Sequence, residues 1–198
     1  ISDNVSGTAN GDILYTFTFS EAVSGFTDAD ISVSAGGSKG LFTQVSDTVY
    51  QLIVSPNADS TETITVSVAA DKAIDAAGNN NDASSVSSQT VDTAAPAAPS
   101  IASLAAFTND NTPTLSIDAE AGSSVNVYAN GVLLGAATEG AAGSFTFTPS
   151  AALLDGTYSL SATATDAVGN VSPASTPRTI TVDTVDPAVP VITSAAPV

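Results

Sequence analysis

Ile13-Leu14-Tyr15-Thr16-Phe17-Thr18-Phe19 sets Ile13, Tyr15, Phe17 and Phe19 at every second position, with threonines at two of the intervening ones. A period of two is the pattern of a strand with one face buried, because successive side chains point to opposite sides of a pleated backbone. The same period returns in Ile64, Val66 and Val68, and further on in the pairs Leu115 and Ile117, Val125 and Val127, Phe145 and Phe147, Tyr158 and Leu160, and Ile180 and Val182. Turn formers such as Gly36-Gly37, Ala129-Asn130-Gly131 and Asp155-Gly156 separate the runs, and no stretch sustains a 3.6-residue period. Short strands with turns at intervals near ten residues predict an all-β chain of antiparallel β-sandwiches of immunoglobulin type, roughly seven strands each.

Working outward from these strands, two segments recur. Asp75-Ala76-Ala77-Gly78-Asn79 returns as Asp166-Ala167-Val168-Gly169-Asn170, and Val91-Asp92-Thr93-Ala94-Ala95-Pro96 as Val182-Asp183-Thr184-Val185-Asp186-Pro187. Both recur after 91 residues, as do Pro99 and Ile101 in Pro190 and Ile192. A fixed period of this kind marks tandem domains. The expected division is a first domain over 1–92, a second over 93–183, and a linker with the start of a third repeat over 184–198. Ile1 begins without a basic leader, so the chain reads as a slice of a longer array.

Asp155-Gly156-Thr157-Tyr158 places a tyrosine near the start of the penultimate strand, where its hydroxyl can bond back across the preceding corner or its ring can simply fill the edge of the core. The first repeat has no such tyrosine before Ile64, so its corner must be held differently.

Composition narrows the chemistry. The 198 residues carry 20 acidic and 3 basic side chains, a formal net charge of −17, and no His, Cys, Met or Trp. Imidazole bases, thiolate nucleophiles and the usual ligands of zinc, copper and haem are therefore missing, and three cations do not line a nucleic-acid groove. With 43% hydrophobic and 12% charged residues the chain can build cores. No apolar run reaches the roughly 18 residues that a membrane helix needs. Zero cysteine leaves the redox compartment open and is compatible with an exported protein that uses another staple.

Chain direction in such a sandwich brings distant acids to one pole. The second strand ends there, in Phe19-Ser20-Glu21 in the first repeat and Asp118-Ala119-Glu120 in the second. The turn before the last strand, Asp75 to Asn79 or Asp166 to Asn170, lies at the same pole, and the preceding repeat delivers Asp92 and Thr93 to it. Asp92, Glu120 and Asp166 are thus expected together, with Asp118, Asn170, Thr93 and nearby carbonyls as further oxygens. Glu21, Asp75 and Asn79 form the corresponding set at the first pole, while Asp183 and Asp186 face outward from the second repeat. Crowded carboxylates repel by about 1 kcal/mol or more per pair near a surface unless a cation neutralises them. Calcium, which takes six to eight oxygens in flexible geometry, suits this donor set better than magnesium does. The plainer reading is that Asp-x-x-Gly-Asn is a tight turn and Val-Asp-Thr-x-x-Pro a stiff linker.

Other acids read as local structure. Asp28-Ala29-Asp30 is expected to be a capped surface turn rather than a second cation site, Asn109-Asp110-Asn111-Thr112-Pro113 a turn, and Asp47, Asp59 and Asp82 solvated charges. Asp118 with Glu120 has the composition of a glycosidase pair, but the tryptophan platforms of a sugar cleft are missing.

Phe19-Ser20-Glu21-Ala22-Val23-Ser24-Gly25-Phe26-Thr27, together with Ala119-Glu120-Ala121-Gly122-Ser123-Ser124-Val125 and Thr163-Ala164-Thr165-Asp166-Ala167-Val168-Gly169-Asn170, resembles the tandem bacterial immunoglobulin-like repeats of giant RTX-type, type I-secreted surface adhesins. The resemblance covers essentially the whole chain. It implies a non-enzymatic extender at the bacterial cell surface, stiffened by calcium between domains. Its partners would be the neighbouring repeats of the same chain, the segment being monomeric and neither inserted in a membrane nor bound to nucleic acid. It also implies that Asp92, Glu120 and Asp166 serve the internal junction. The rival expectation is a glycan- or protein-binding module using loops of the first repeat such as Gly36-Gly37-Ser38-Lys39-Gly40. A third is an accessory module of a secreted hydrolase.

Overall fold

Each period-two run becomes a strand in the computed structural model, which describes residues 1–192. The expected start of a third repeat therefore lies partly outside the described residues. The chain divides into two compact units, one comprising Ile1–Ala95 with the turn Asp166–Val171, the other Pro96–Thr165 with Ser172 onward.

The first unit holds β1 (Ser2–Asp3), β2 (Ile13–Thr18), β3 (Ile31–Val33), β4 (Gly37–Gln44), β5 (Val49–Pro56), β6 (Thr63–Val68) and β7 (Ser87–Thr90). They form one sheet in the order β1-β2-β5-β4 and a second in the order β3-β6-β7. Antiparallel pairing sets Tyr15 opposite Leu52 and Phe17 opposite Tyr50. The inward side chains of both sheets, among them Ile13, Tyr15, Leu52, Val54, Ile64 and Val66, are fully buried. Phe26 adds an aromatic cluster, its ring 5.1 Å from those of Phe19 and Tyr50 and 5.9 Å from those of Phe17 and Phe42. Tilted aromatic pairs of this kind contribute about 0.5–1.5 kcal/mol each beyond their buried area.

The second unit continues with β8 (Ser100–Ile101), β9 (Phe107–Thr108), β10 (Leu115–Asp118), β11 (Ser124–Ala129), β12 (Val132–Ala136), β13 (Thr138–Glu139), β14 (Ser144–Phe147), β15 (Gly156–Thr165) and β16 (Arg178–Val182). Its sheets run β13-β14-β10-β8 and β12-β11-β15-β16-β9. Asn130 and Gly131, both at positive φ (51° and 80°), make the two-residue turn between β11 and β12, as an Asn-Gly pair between alternating strands should. In both units an early segment runs parallel to the last strand, through the Ala9–Val91 bridge in the first and β9 with β16 in the second. Antiparallel sheets facing one another over a shared core make this chain an all-β, immunoglobulin-like fold.

The corners differ as the sequence requires. Tyr158 donates its hydroxyl to the Leu154 carbonyl at 2.9 Å, so the tyrosine corner forms. In the first unit Thr93 does the equivalent work from the end of the chain's first repeat. Its hydroxyl donates to the Asn57 carbonyl (2.7 Å) and accepts the Ser60 N–H (3.0 Å).

Two expectations change. Gly37 to Gly40 are not a loop but the start of β4, an edge strand in which Lys39 reaches back to the Asp28 carbonyl at 2.6 Å. A Cβ at Gly37 would come within 2.8 Å of Val54 and 2.9 Å of Ile64, so close packing rather than loop freedom explains this glycine. The strand-end correspondence also shifts by one. Buried Phe17, exposed Thr18, half-buried Phe19 and exposed Ser20 repeat the burial of Ile117, Asp118, Ala119 and Glu120. Thr18 therefore stands where Asp118 does and Ser20 where Glu120 does, leaving Glu21 one position further along, past the end of β2.

Candidate functional site

Aspartate at the first position of Asp-x-x-Gly-Asn folds the chain onto its own carboxylate. In the first turn, Asp75 Oδ1 accepts the N–H groups of Ala77 and Asn79, both at 2.8 Å, and Oδ2 accepts the Asn79 side-chain amide at 2.7 Å. In the second, Asp166 Oδ1 accepts N–H groups from Val168 (2.9 Å), Gly169 (2.7 Å) and Asn170 (2.8 Å), and Oδ2 the Asn170 amide (2.7 Å). Gly78 (φ 89°) and Gly169 (φ 98°) supply the left-handed backbone that closes each turn. The Asn79 side chain, then the neighbouring backbone N–H groups, hold the Asp75 carboxyl below its ordinary range. For Asp166 partial burial pushes the other way, but the bonds from Asn170, Val168 and Gly169 outweigh it and the carboxyl again lies low. The tight-turn reading is thus realised in both copies.

The second turn does more. Within the first compact unit, the Asn170 Nδ2 also donates to the Asp92 carbonyl at 2.9 Å and lies 3.5 Å from Asp92 Oδ1. Three oxygens from two segments 74 residues apart in sequence, the Asp92 carbonyl, the Asp92 carboxylate and Asp166 Oδ2, therefore surround one amide nitrogen. Asn10 ties the same turn by donating its amide to the Val168 carbonyl. Rotating the Asn170 amide about its last bond would present its own oxygen to the same point as a fourth donor. Carboxylate, carbonyl and amide oxygens are the donors calcium takes. Asp166 Oδ1 is committed to three backbone donors, which leaves Oδ2, bonded to the Asn170 amide alone, as its ligand atom. Among the described residues no group of three or more Asp and Glu side chains gathers in either unit, so this set mixes two carboxylates with neutral oxygens rather than crowding acids.

The other expected site residues fall into separate groups. Glu21, Asp75 and Asn79 line one cavity of about 420 Å³ in the first unit, with Phe17, Phe19 and Val68 forming its apolar wall. Asp118 and Glu120 are exposed in the second unit, Asp118 ending β10 opposite Ser144 and Ser100, and Glu120 opening the turn that follows. Asp183 repeats the local geometry of Asp92: each accepts, at 3.1 Å, the N–H two residues on, from Val185 and Ala94. Thr184 repeats the corner duty of Thr93, donating both its N–H (3.0 Å) and its hydroxyl (2.8 Å) to Asp155. Thr93 and Thr184 are therefore corner clamps first. Asp186 is exposed. Asp30 spends its carboxylate on Thr27, accepting both N–H (2.9 Å) and hydroxyl (2.8 Å), which makes Asp28–Asp30 the capped turn expected. Asp110 likewise accepts the Thr112 N–H at 2.9 Å in a local turn.

Sequence spacing also passed over Glu139. Glu139, closing β13, accepts the Gly143 N–H at 2.8 Å and the Gly122 N–H at 3.1 and 3.2 Å on its two oxygens. Those bonds, the Gly143 N–H foremost, lower its carboxyl below the ordinary range.

Residues 1–93 match one family model of bacterial Ig-like domains and residues 100–184 match another. No curated protein sequence matches the chain. Among solved structures, the chain is similar to a biofilm-associated protein BSP domain at 22% identity and TM-score 0.37, covering 90% of this chain and 26% of that one. It therefore spans about a quarter of that structure's length. Fibronectin(III)-like modules of Clostridium thermocellum CbhA match at 15% identity and TM-score 0.44, over 91% of this chain and 93% of theirs. The Yersinia pseudotuberculosis adhesin InvE matches at 13% identity and TM-score 0.31, over 89% and 56%.

Proposed function

Because both halves of the chain belong to the bacterial Ig-like domains, we propose that it is a non-enzymatic stalk segment of a large, RTX-type bacterial surface adhesin, exported by type I secretion and stiffened by calcium where one repeat meets the next. The observation that carries this reading is the point at Asn170, on which the Asp92 carbonyl and carboxylate and the Asp166 carboxylate converge. Asp92, Asp166 and Asn170 would hold the ion. When bound, calcium would supply positive charge that offsets part of the net charge of −17 and would be shared by oxygens of two chain segments. The chain's own part is positional: the Asx turn fixes one Asp166 oxygen by three N–H donors, and Thr93 anchors the strand end that carries Asp92. The partners are then neighbouring repeats of the same chain, and the place of action is outside the cell.

Thermal unfolding tests it. A ligand that binds only the native state at about 100 times its Kd adds roughly 2.7 kcal/mol, so millimolar calcium should raise the melting temperature by several degrees over chelator. Identical melting curves with calcium and with chelator would refute calcium binding.

A further inference from the structure

The point on which the oxygens of Asp92 and Asp166 converge is filled by a group of the chain itself. The Asn170 Nδ2 donates to the Asp92 carbonyl at 2.9 Å and to Asp166 Oδ2 at 2.7 Å, and lies 3.5 Å from Asp92 Oδ1. Asp92 and the Asp166–Val171 turn both belong to the first compact unit. The surroundings dictate which end of the amide points there: an N–H₂ group finds acceptors on every side, whereas an oxygen in its place would meet only oxygens. The amide therefore stands in for a cation, giving its hydrogens to both aspartates and offsetting the repulsion between two carboxylates. The turn keeps its shape without this contact, because Asp166 Oδ1 is held by the N–H groups of Val168, Gly169 and Asn170. Half a rotation about the last side-chain bond exchanges the amide nitrogen for its oxygen and leaves the backbone where it is. Asn79 makes the corresponding bond to Asp75 Oδ2 at 2.7 Å, within its own turn, and serves as the control.

We propose that Asn170 is the plug of this site: its N–H₂ closes the empty cage, and a cation enters only by displacing it, whereupon the amide turns and presents its oxygen. The inference rests on the junction reading above and deepens it. Amide hydrogens and ion exclude one another from the same point, so the apparent affinity of a cation is its intrinsic affinity reduced by the fraction of chains whose cage is open. That factor is the same for every ion, which leaves weakly held monovalent ions outside and admits a divalent one. The plug also keeps the Asp92 strand end tied to the turn in the ion-free chain, so the oxygens are already gathered when the ion arrives.

The test uses the whole chain with its asparagine side-chain amides labelled for NMR, calcium calorimetry at neutral pH, and the variant Asn170→Asp, first shown to be folded by its melt. In chelator and potassium chloride the Asn170 N–H₂ protons should exchange with water more slowly than those of Asn79. One equivalent of calcium should abolish that protection and leave Asn79 unchanged. Asn170→Asp replaces the plug with an oxygen that has no hydrogens to withdraw, so it should melt below wild type in chelator, while its calcium Kd should fall about tenfold as ligand charge rises and the cage stands open. Protection that persists with calcium bound, or that Asn170 lacks in chelator, would overturn the plug and leave the junction reading intact. A lower melt in Asn170→Asp with an unchanged or higher calcium Kd would reduce Asn170 to a turn residue. A wild-type chain that binds no calcium overturns the junction reading and this inference together, and the wild-type calorimetric trace alone reveals that outcome.

Discussion

Asp75–Asn79 and Asp166–Asn170 are two copies of one turn, yet among the described residues it is the second whose asparagine also bonds an upstream strand end. Each aspartate takes its own turn's N–H groups on one oxygen and the turn's asparagine amide on the other. Asn170 goes on to reach the carbonyl and carboxylate of Asp92, while Asn79 borders a cavity walled by Phe17, Phe19 and Val68. The five-residue pattern therefore encodes its own conformation, and the difference between a turn and a candidate ligand cage lies in what another strand end brings to it.

The strand ends can be compared in the same way, and here the expected effects are largest. Thr93 clamps its corner by a donated and an accepted bond, whereas the second repeat divides the work between Tyr158 and Thr184. Thr93→Val should leave the Asn57 carbonyl and the Ser60 N–H without their partner and cost about 1–3 kcal/mol in urea unfolding. Tyr158→Phe removes one bond of a shared set and should cost about 1 kcal/mol. A Tyr158→Phe loss larger than that of Thr93→Val would mean the first corner is held by something other than its threonine.

A smaller effect comes from acid. Asp75 and Asp166 both titrate below the ordinary value in the folded chain, so their contribution is present above the unfolded carboxyl pKa of about 3.9. It is lost as pH falls through that value toward the lower folded one. Carboxyl NMR titration in chelator should place both aspartates below about 3.9. Either one at or above it would break the equivalence of the two turns.

These comparisons also explain what the sequence could disclose. Strands were legible from Ile13, Tyr15 and Phe17 because the pleat turns burial into a period of two. The tyrosine corner was legible because the acceptor lies only four residues back, at Leu154. The Thr93 clamp was not, since Asn57 is 36 residues away and nothing local marks the pairing. The same holds for Glu139, whose partners are backbone N–H groups that any residue carries. Matching Glu21 with Glu120 by residue type missed by one position the register that burial of Phe17 and Ile117 sets. The turns at Asp75 and Asp166 were legible as turns because each aspartate bonds within its own five residues, and of the acids expected together with Asp92 the hydrogen bonds of Asn170 reach Asp166 but not Glu120 or Asp118.

The most direct test of the junction is calcium calorimetry on three versions of the chain: wild type, Asp92→Ala and Asp183→Ala. Asp92 and Asp183 share a local geometry, but only Asp92 is met by Asn170. Wild type should show one tight site above weaker ones, Asp92→Ala should lose the tight site, and Asp183→Ala should keep it. A tight site that survives Asp92→Ala, or equal loss from both substitutions, would contradict the assignment of the ion to Asp92, Asp166 and Asn170.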